Sequence, residues 1–141
     1  MWIGERPAIV VFEHRAARGP LRWLAPGSRH CFCLLAAGDH GWLLCDPLKG
    51  SLRLEVLHPV EMTFLVQHYR GTGRHVAVGP APAVAGEAAA WPTVLTCVAL
   101  VKRAIGLRAP RVVTPRGLFR ELARQPRWSV AYPRRLDLGT E

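Results

Sequence analysis

The most regular alternation of apolar and polar positions falls in Ser51-Leu52-Arg53-Leu54-Glu55-Val56-Leu57. A period of two marks a strand with one face toward solvent. Ala8-Ile9-Val10-Val11-Phe12 is instead a short apolar, β-branched run and reads as a strand that emerges at Glu13-His14. His30 to Leu35 reads as a second strand, Ala36 to His40 as a turn, and Gly41 to Asp46 as the returning strand of a hairpin. Between these units, Gly19-Pro20 and Pro26-Gly27 break the segment 15–28 into loop, with room for a short strand at Leu21 to Leu24.

The stretch from Pro59 to Arg70 fits either a helix opening at Pro59 or a strand through Met62 to Val66. The helical spacing of Glu61, Leu65 and His68 favours the helix, closed by Gly71-Thr72-Gly73. His75 to Val78 reads as a further strand, and the prolines and small residues from Gly79 to Ala90 as a loop or covering strap. Val94, Val98, Val101 and Ile105 then recur at i, i+4, i+7 and i+11, the core stripe of a helix with Lys102 and Arg103 toward solvent and Gly106 as its stop. Thr114-Pro115 is an N-cap followed by proline at the first helical position. It predicts a second helix to about Arg124 that buries Leu118, Phe119 and Leu122. Beyond about residue 125 the chain reads as an irregular basic tail, or a last short strand at Trp128 to Tyr132. The expected fold is α+β: an antiparallel sheet of four to five strands against two to three helices, in one domain over 1–141.

Composition narrows the function classes. With 141 residues, half of them hydrophobic, the chain is long enough for a real core. No apolar run approaches the roughly 20 residues of a membrane span. The opening Met1-Trp2-Ile3-Gly4-Glu5-Arg6-Pro7 lacks the basic-then-apolar order of a signal peptide, so a soluble, cytoplasmic protein is expected. The net charge of +9 would suit a polyanion. However, its source is almost entirely arginine among many alanines and prolines, without a block of like charge, so a nucleic-acid partner is the third reading. The spacing Cys31-x-Cys33, Cys45, Cys97 matches no common zinc pattern, and neither a metal nor a cofactor is expected.

Of the four cysteines, Cys97 is singled out by its place in the first turn of a helix, where the macrodipole favours a thiolate. A thiolate nucleophile needs a histidine to move a proton and a third group to hold the imidazole. Of six histidines, His14, His40, His58 and His75 sit at turns or strand ends and His68 lies on the helix favoured over 59–70, whereas His30 opens an apolar strand. A turn over residues 36–40 makes paired numbers in the hairpin sum to 76, which sets His30 across from Asp46 and Cys31 across from Cys45. Directly opposed residues share a face, with Cβ atoms roughly 4.5–5.5 Å apart, so Asp46 can accept the imidazole N–H. A polar pair at the sheet margin and a buried helix cysteine explain the same residues without chemistry. Cys31 and Cys45 read as small core residues, with a disulfide or half a metal site as the alternative.

A histidine on a strand, an acid after the next strand and a cysteine opening a later helix resemble the circularly permuted papain-like superfamily of cysteine peptidases and acyltransferases. The nearest likeness is to small bacterial and phage-associated domains. It is carried by Arg29-His30-Cys31-Phe32, Asp46-Pro47, the helix Cys97 to Gly106 and Thr114-Pro115. It implies Cys97 as nucleophile, His30 as general base and acid, Asp46 as orienting residue, and the Cys97 backbone N–H in an oxyanion hole. The implied substrate is a peptide, peptidoglycan or acyl group, cleaved at an amide or ester through an acyl-thioester. The second reading is a catalytically silent module of the same fold, an accessory part of a phage or virion-like assembly.

Overall fold

The computed structural model describes residues 5–13, 30–48, 51–82 and 97–134. They form six strands and three α-helices: β1 (Glu5–Glu13), β2 (His30–Ala36), β3 (Trp42–Leu48), β4 (Ser51–Leu57), α1 (Met62–Gly71), β5 (His75–Pro82), α2 (Cys97–Ile105), α3 (Pro115–Arg124) and β6 (Ser129–Ala131). All strand pairs are antiparallel, in the order β4-β3-β2-β1-β5-β6. The α+β class is as expected, with one strand more than the upper count. The suggested strand at Leu21 to Leu24, and Val94 of the helix stripe, lie outside the described residues.

The sheet is covered on both sides. Val10, Phe12, Cys31, Cys33 and Cys45 pack with Val98, Val101 and Ile105 of α2 and Leu118 and Leu122 of α3. On the other face, Ile9, Val11, Phe32, Leu34, Trp42 and Leu44 pack with Leu65 of α1. This explains the unbroken apolar run of β1: Ala8, Ile9, Val10 and Val11 have no exposed surface because alternate residues feed two cores. The three helices therefore have assigned faces, and the sheet's β2–β3 end is where the sheet and α2 can share a site.

Local chemistry accounts for the helix ends. The Thr114 side chain accepts from the Gly117 N–H at 3.0 Å, satisfying a donor that the first turn of α3 leaves free. At the end of α2, Gly106 adopts φ +71°. The Leu107 N–H donates to the Lys102 carbonyl at 2.9 Å and the Gly106 N–H to that of Arg103 at 3.3 Å, a Schellman closure. Lys102 does not simply face solvent. Its ammonium donates to the carbonyls of Ala109 and Val112 at 2.9 and 2.7 Å, which ties down the α2–α3 connection.

Two other expectations need correction. The stretch from Gly79 is not a loop from its first residue, since β5 continues through Gly79, Pro80, Ala81 and Pro82, paired with β1 down to Glu5. Proline has no N–H for a ladder and so conceals a strand from a propensity reading; here Pro80 stands opposite Pro7. Gly79 is needed for a close approach, because a Cβ there would lie 2.2 Å from the Trp128 ring. Helix α1 starts at Met62, not Pro59, and its preceding segment is held by Trp42 Nε1 donating to the Val60 carbonyl at 2.9 Å.

Candidate functional site

The hairpin register differs from the expected one. The connecting turn spans 37–41 rather than 36–40, with the Ala37 N–H donating to the Gly41 carbonyl at 2.8 Å. A turn displaced by one residue changes the pair sum by two. The ladder accordingly runs from Ala36–Trp42 to Cys33–Cys45, and Cys31 is not opposite Cys45. Asp46 is likewise not directly across from His30. A two-residue slip preserves the face, whereas a one-residue slip would have reversed it. His30 and Asp46 thus remain on one side of the sheet as diagonal neighbours.

The β2–β3 ladder ends at Cys33–Cys45, while β2 stays paired with β1 as far as Glu13–His30. In the resulting gap the His30 Nε2 meets the Asp46 Oδ1 at 2.5 Å, with both side chains mostly buried. Glu13, directly across from His30 on β1, is instead engaged by Arg74 at 3.1 Å. Asp46 is therefore the acid that holds this imidazole. With Nε2 committed to the carboxylate, Nδ1 is the ring nitrogen left to meet a nucleophile.

Cys97 meets that requirement. It opens α2, half-buried at the margin of the core that contains Cys31. Its thiol is pulled down to about 4. The largest cause is a hydrogen bond from the Cys31 side chain; the His30 side chain and the Cys31 backbone add further hydrogen bonds, and burial opposes them. His30 is raised to about 9, first by its hydrogen bond to Cys97 and then by that to Asp46 and the charges of both, again against burial. Between these limits the pair is a thiolate facing an imidazolium, the charge state of an activated cysteine nucleophile.

Cys31 is the residue that sequence reasoning missed. Treated above as core filling, it follows His30 on β2 and so faces the α2 side. Its own thiol is pushed well above the ordinary range, chiefly by the hydrogen bond to Cys97 and by burial. It therefore stays protonated and serves Cys97 as an S–H donor. The signal was available only jointly: alternation sends Cys31 away from His30, and the same helix must cover that face for both to reach one sulfur. At the strand's first two residues that is possible, because Cys97 stands at the strand end.

The other two cysteines form a separate pair. Cys33 and Cys45 are cross-strand partners and free thiols. Their hydrogen bond lowers Cys45 to about 7 against the opposing effect of burial, with the Arg6 charge assisting, and raises Cys33. Among the described residues no group of three or more His, Cys, Asp or Glu side chains is placed to hold a metal ion. No helix among them is long and apolar enough to cross a membrane. Compared with family models, with curated proteins and with solved structures, the chain matches none.

Proposed function

We propose that the protein is a cysteine hydrolase that cleaves an amide or ester bond through a Cys97–His30–Asp46 triad. The observation that carries this reading is the position of one imidazole between a carboxylate at 2.5 Å and a hydrogen-bonded thiol held far below its ordinary titration range. In the reaction the Cys97 thiolate attacks the carbonyl carbon and the carbonyl π electrons move to oxygen. Collapse of that intermediate expels the amine or alcohol, which takes the proton of the His30 imidazolium. The acyl-thioester is then attacked by water as neutral His30 accepts its proton, and release of the acid restores the thiolate. Asp46 fixes the ring so that one nitrogen faces sulfur throughout.

The N–H groups at the start of α2 have no intrahelical acceptor, and that of Cys97 lies nearest the nucleophile, suited to the developing oxyanion. The order of histidine strand, acid strand and cysteine helix, with antiparallel β1–β2–β3 beneath, supports placing the fold among permuted papain-like domains. A peptide, a peptidoglycan stem or an acyl ester is the substrate class.

Treatment with iodoacetamide at about pH 5 separates a poised nucleophile from a structural thiol, because only the thiolate reacts. Peptide mapping is expected to show Cys97 modified well before Cys31, Cys33 and Cys45. In parallel, 4-nitrophenyl acetate should release a burst of nitrophenol and leave an acetyl group on Cys97, both absent in Cys97→Ala. Equal, slow labelling of all four thiols with no acetyl adduct would replace the hydrolase by the catalytically silent module.

A further inference from the structure

We propose that the β4 edge of the sheet is a homodimer interface, formed by antiparallel pairing of Ser51–Leu57 with the same strand of a second copy about a two-fold axis at Leu54. Among the described residues strand β4 is the last in the sheet and pairs with β3 over all seven of its residues, so its outer side is a long, regular row of backbone donors and acceptors. The opposite edge, β6, has only three residues. Natural sheet edges are blunted by charged side chains, lysine above all, by proline, a bulge or a cover; Ser51–Leu57 contains neither proline nor lysine, and its two charges, Arg53 and Glu55, are opposite in sign. Leu52, Leu54 and Val56 stand opposite Pro47, Cys45 and Leu43, on the α2–α3 side of the sheet. There they are 49, 59 and 69% exposed.

Charge decides both the occupant and the register. Arg53 and Glu55 share the other face and are bonded to each other at 2.6 Å. In a two-fold pairing about Leu54 the facing residue numbers sum to 108. Arg53 then opposes Glu55 of the partner subunit, Leu52 opposes its Val56, and the two Leu54 side chains meet. The four charges form a square in which every neighbour along and across the strands has opposite sign. Centring the axis one residue earlier opposes Arg53 with itself, one residue later Glu55 with itself, and an odd sum turns the apolar face against the charged one. Like charges directly opposite are unfavourable. A second copy of this strand thus satisfies its own pattern in one register.

Sedimentation equilibrium of the full chain at up to about 100 μM, the range where a small interface is populated, is expected to show a monomer–dimer equilibrium. Leu54→Lys, which sets two ammonium groups against each other on the axis, should give monomer with an unchanged circular dichroism spectrum. Arg53→Glu and Glu55→Arg should each weaken dimerisation by about tenfold or more, and the double swap should restore it, since only the double variant returns opposite signs to both facing pairs. A wild type that stays monomeric, a dimer indifferent to Leu54→Lys, or a double swap no better than the single variants would each overturn the proposal. A monomer whose β4 amides resist hydrogen exchange would assign the edge to another part of the same chain instead.

Discussion

At Cys97 the unusual feature is the order of its stabilising contacts. The hydrogen bond from the Cys31 thiol is the largest single contact favouring the thiolate, ahead of the hydrogen bond from His30. Cys31→Ala is therefore expected to raise the Cys97 titration and slow its alkylation at about pH 5, where each unit of upward shift removes about 1.4 kcal/mol of thiolate stabilisation. Cys31→Ser keeps an O–H donor at the same place and should recover most of the rate, which a loss by cavity formation alone would not allow. Asp46→Asn tests the other end of the relay. It keeps the side-chain shape but can present an N–H to the Nε2 of His30, so the ring loses both its acceptor and a neighbouring charge. Acylation by 4-nitrophenyl acetate should fall by roughly 10²-fold, the lower end of what a positioned general base supplies, while the fold is retained. An unchanged rate would reduce the His30–Asp46 contact to a polar pair at the sheet margin.

Among the elements, those with explicit start and stop chemistry were the most legible. Thr114-Pro115 marked α3 to the residue, and Gly106 marked the end of α2, because each needs a particular residue for a local hydrogen-bond pattern. Two replacements test these ends. Thr114→Ala should lower stability by about 1 kcal/mol through loss of the cap to Gly117. Gly106→Ala should cost about 1–2 kcal/mol for the left-handed conformation, and more in practice, because the new Cβ would lie 2.7 Å from Pro82. Urea midpoints measure both. Elements defined by long-range pairing were less legible. The extension of β5 past Val78 rests on partners in β1 far away in sequence, and its prolines argue against a strand locally. The β2–β3 turn carries Gly38 and Gly41, both with positive φ, and apolar patterning alone could not decide which residues the turn consumes. The His30–Asp46 relation was legible even so, because parity survives a slip of two; the cross-strand partner of Cys45 was not, because it depends on the register itself.

The whole molecule sets the pH dependence, since the site is assembled from two layers that exist together only when folded. His30 comes from the sheet and Cys97 from the helix layer, so unfolding returns each to its ordinary titration. The folded imidazole titrates at about 9 rather than 6.5, so its contribution to stability is complete below 6.5 and is lost as pH rises through 9. The folded thiol titrates at about 4 rather than 9, so its contribution is complete above 9 and is lost as pH falls through 4. From about 4 to 6.5 only the cysteine differs in protonation between the two states. The unfolded chain binds one proton more, and stability rises with pH by at most about 1.4 kcal/mol per unit, over a window that solvent screening of a half-buried pair narrows. From 6.5 to 9 the extra proton on folded His30 balances the extra proton on unfolded Cys97, and the two slopes cancel. The wild type minus Cys97→Ala difference in unfolding free energy should therefore climb from about pH 4 to 6.5. Above that range the variant's His30 lacks its thiolate partner: the difference levels near 6.5 where the imidazole returns to its ordinary titration, and climbs further as far as Asp46 keeps it raised. Chemical denaturation at half-unit intervals, with both proteins in the same buffers, measures it. A difference that is flat across the acid range would mean that Cys97 keeps its proton in the folded chain, which would remove the thiolate on which the hydrolase mechanism depends.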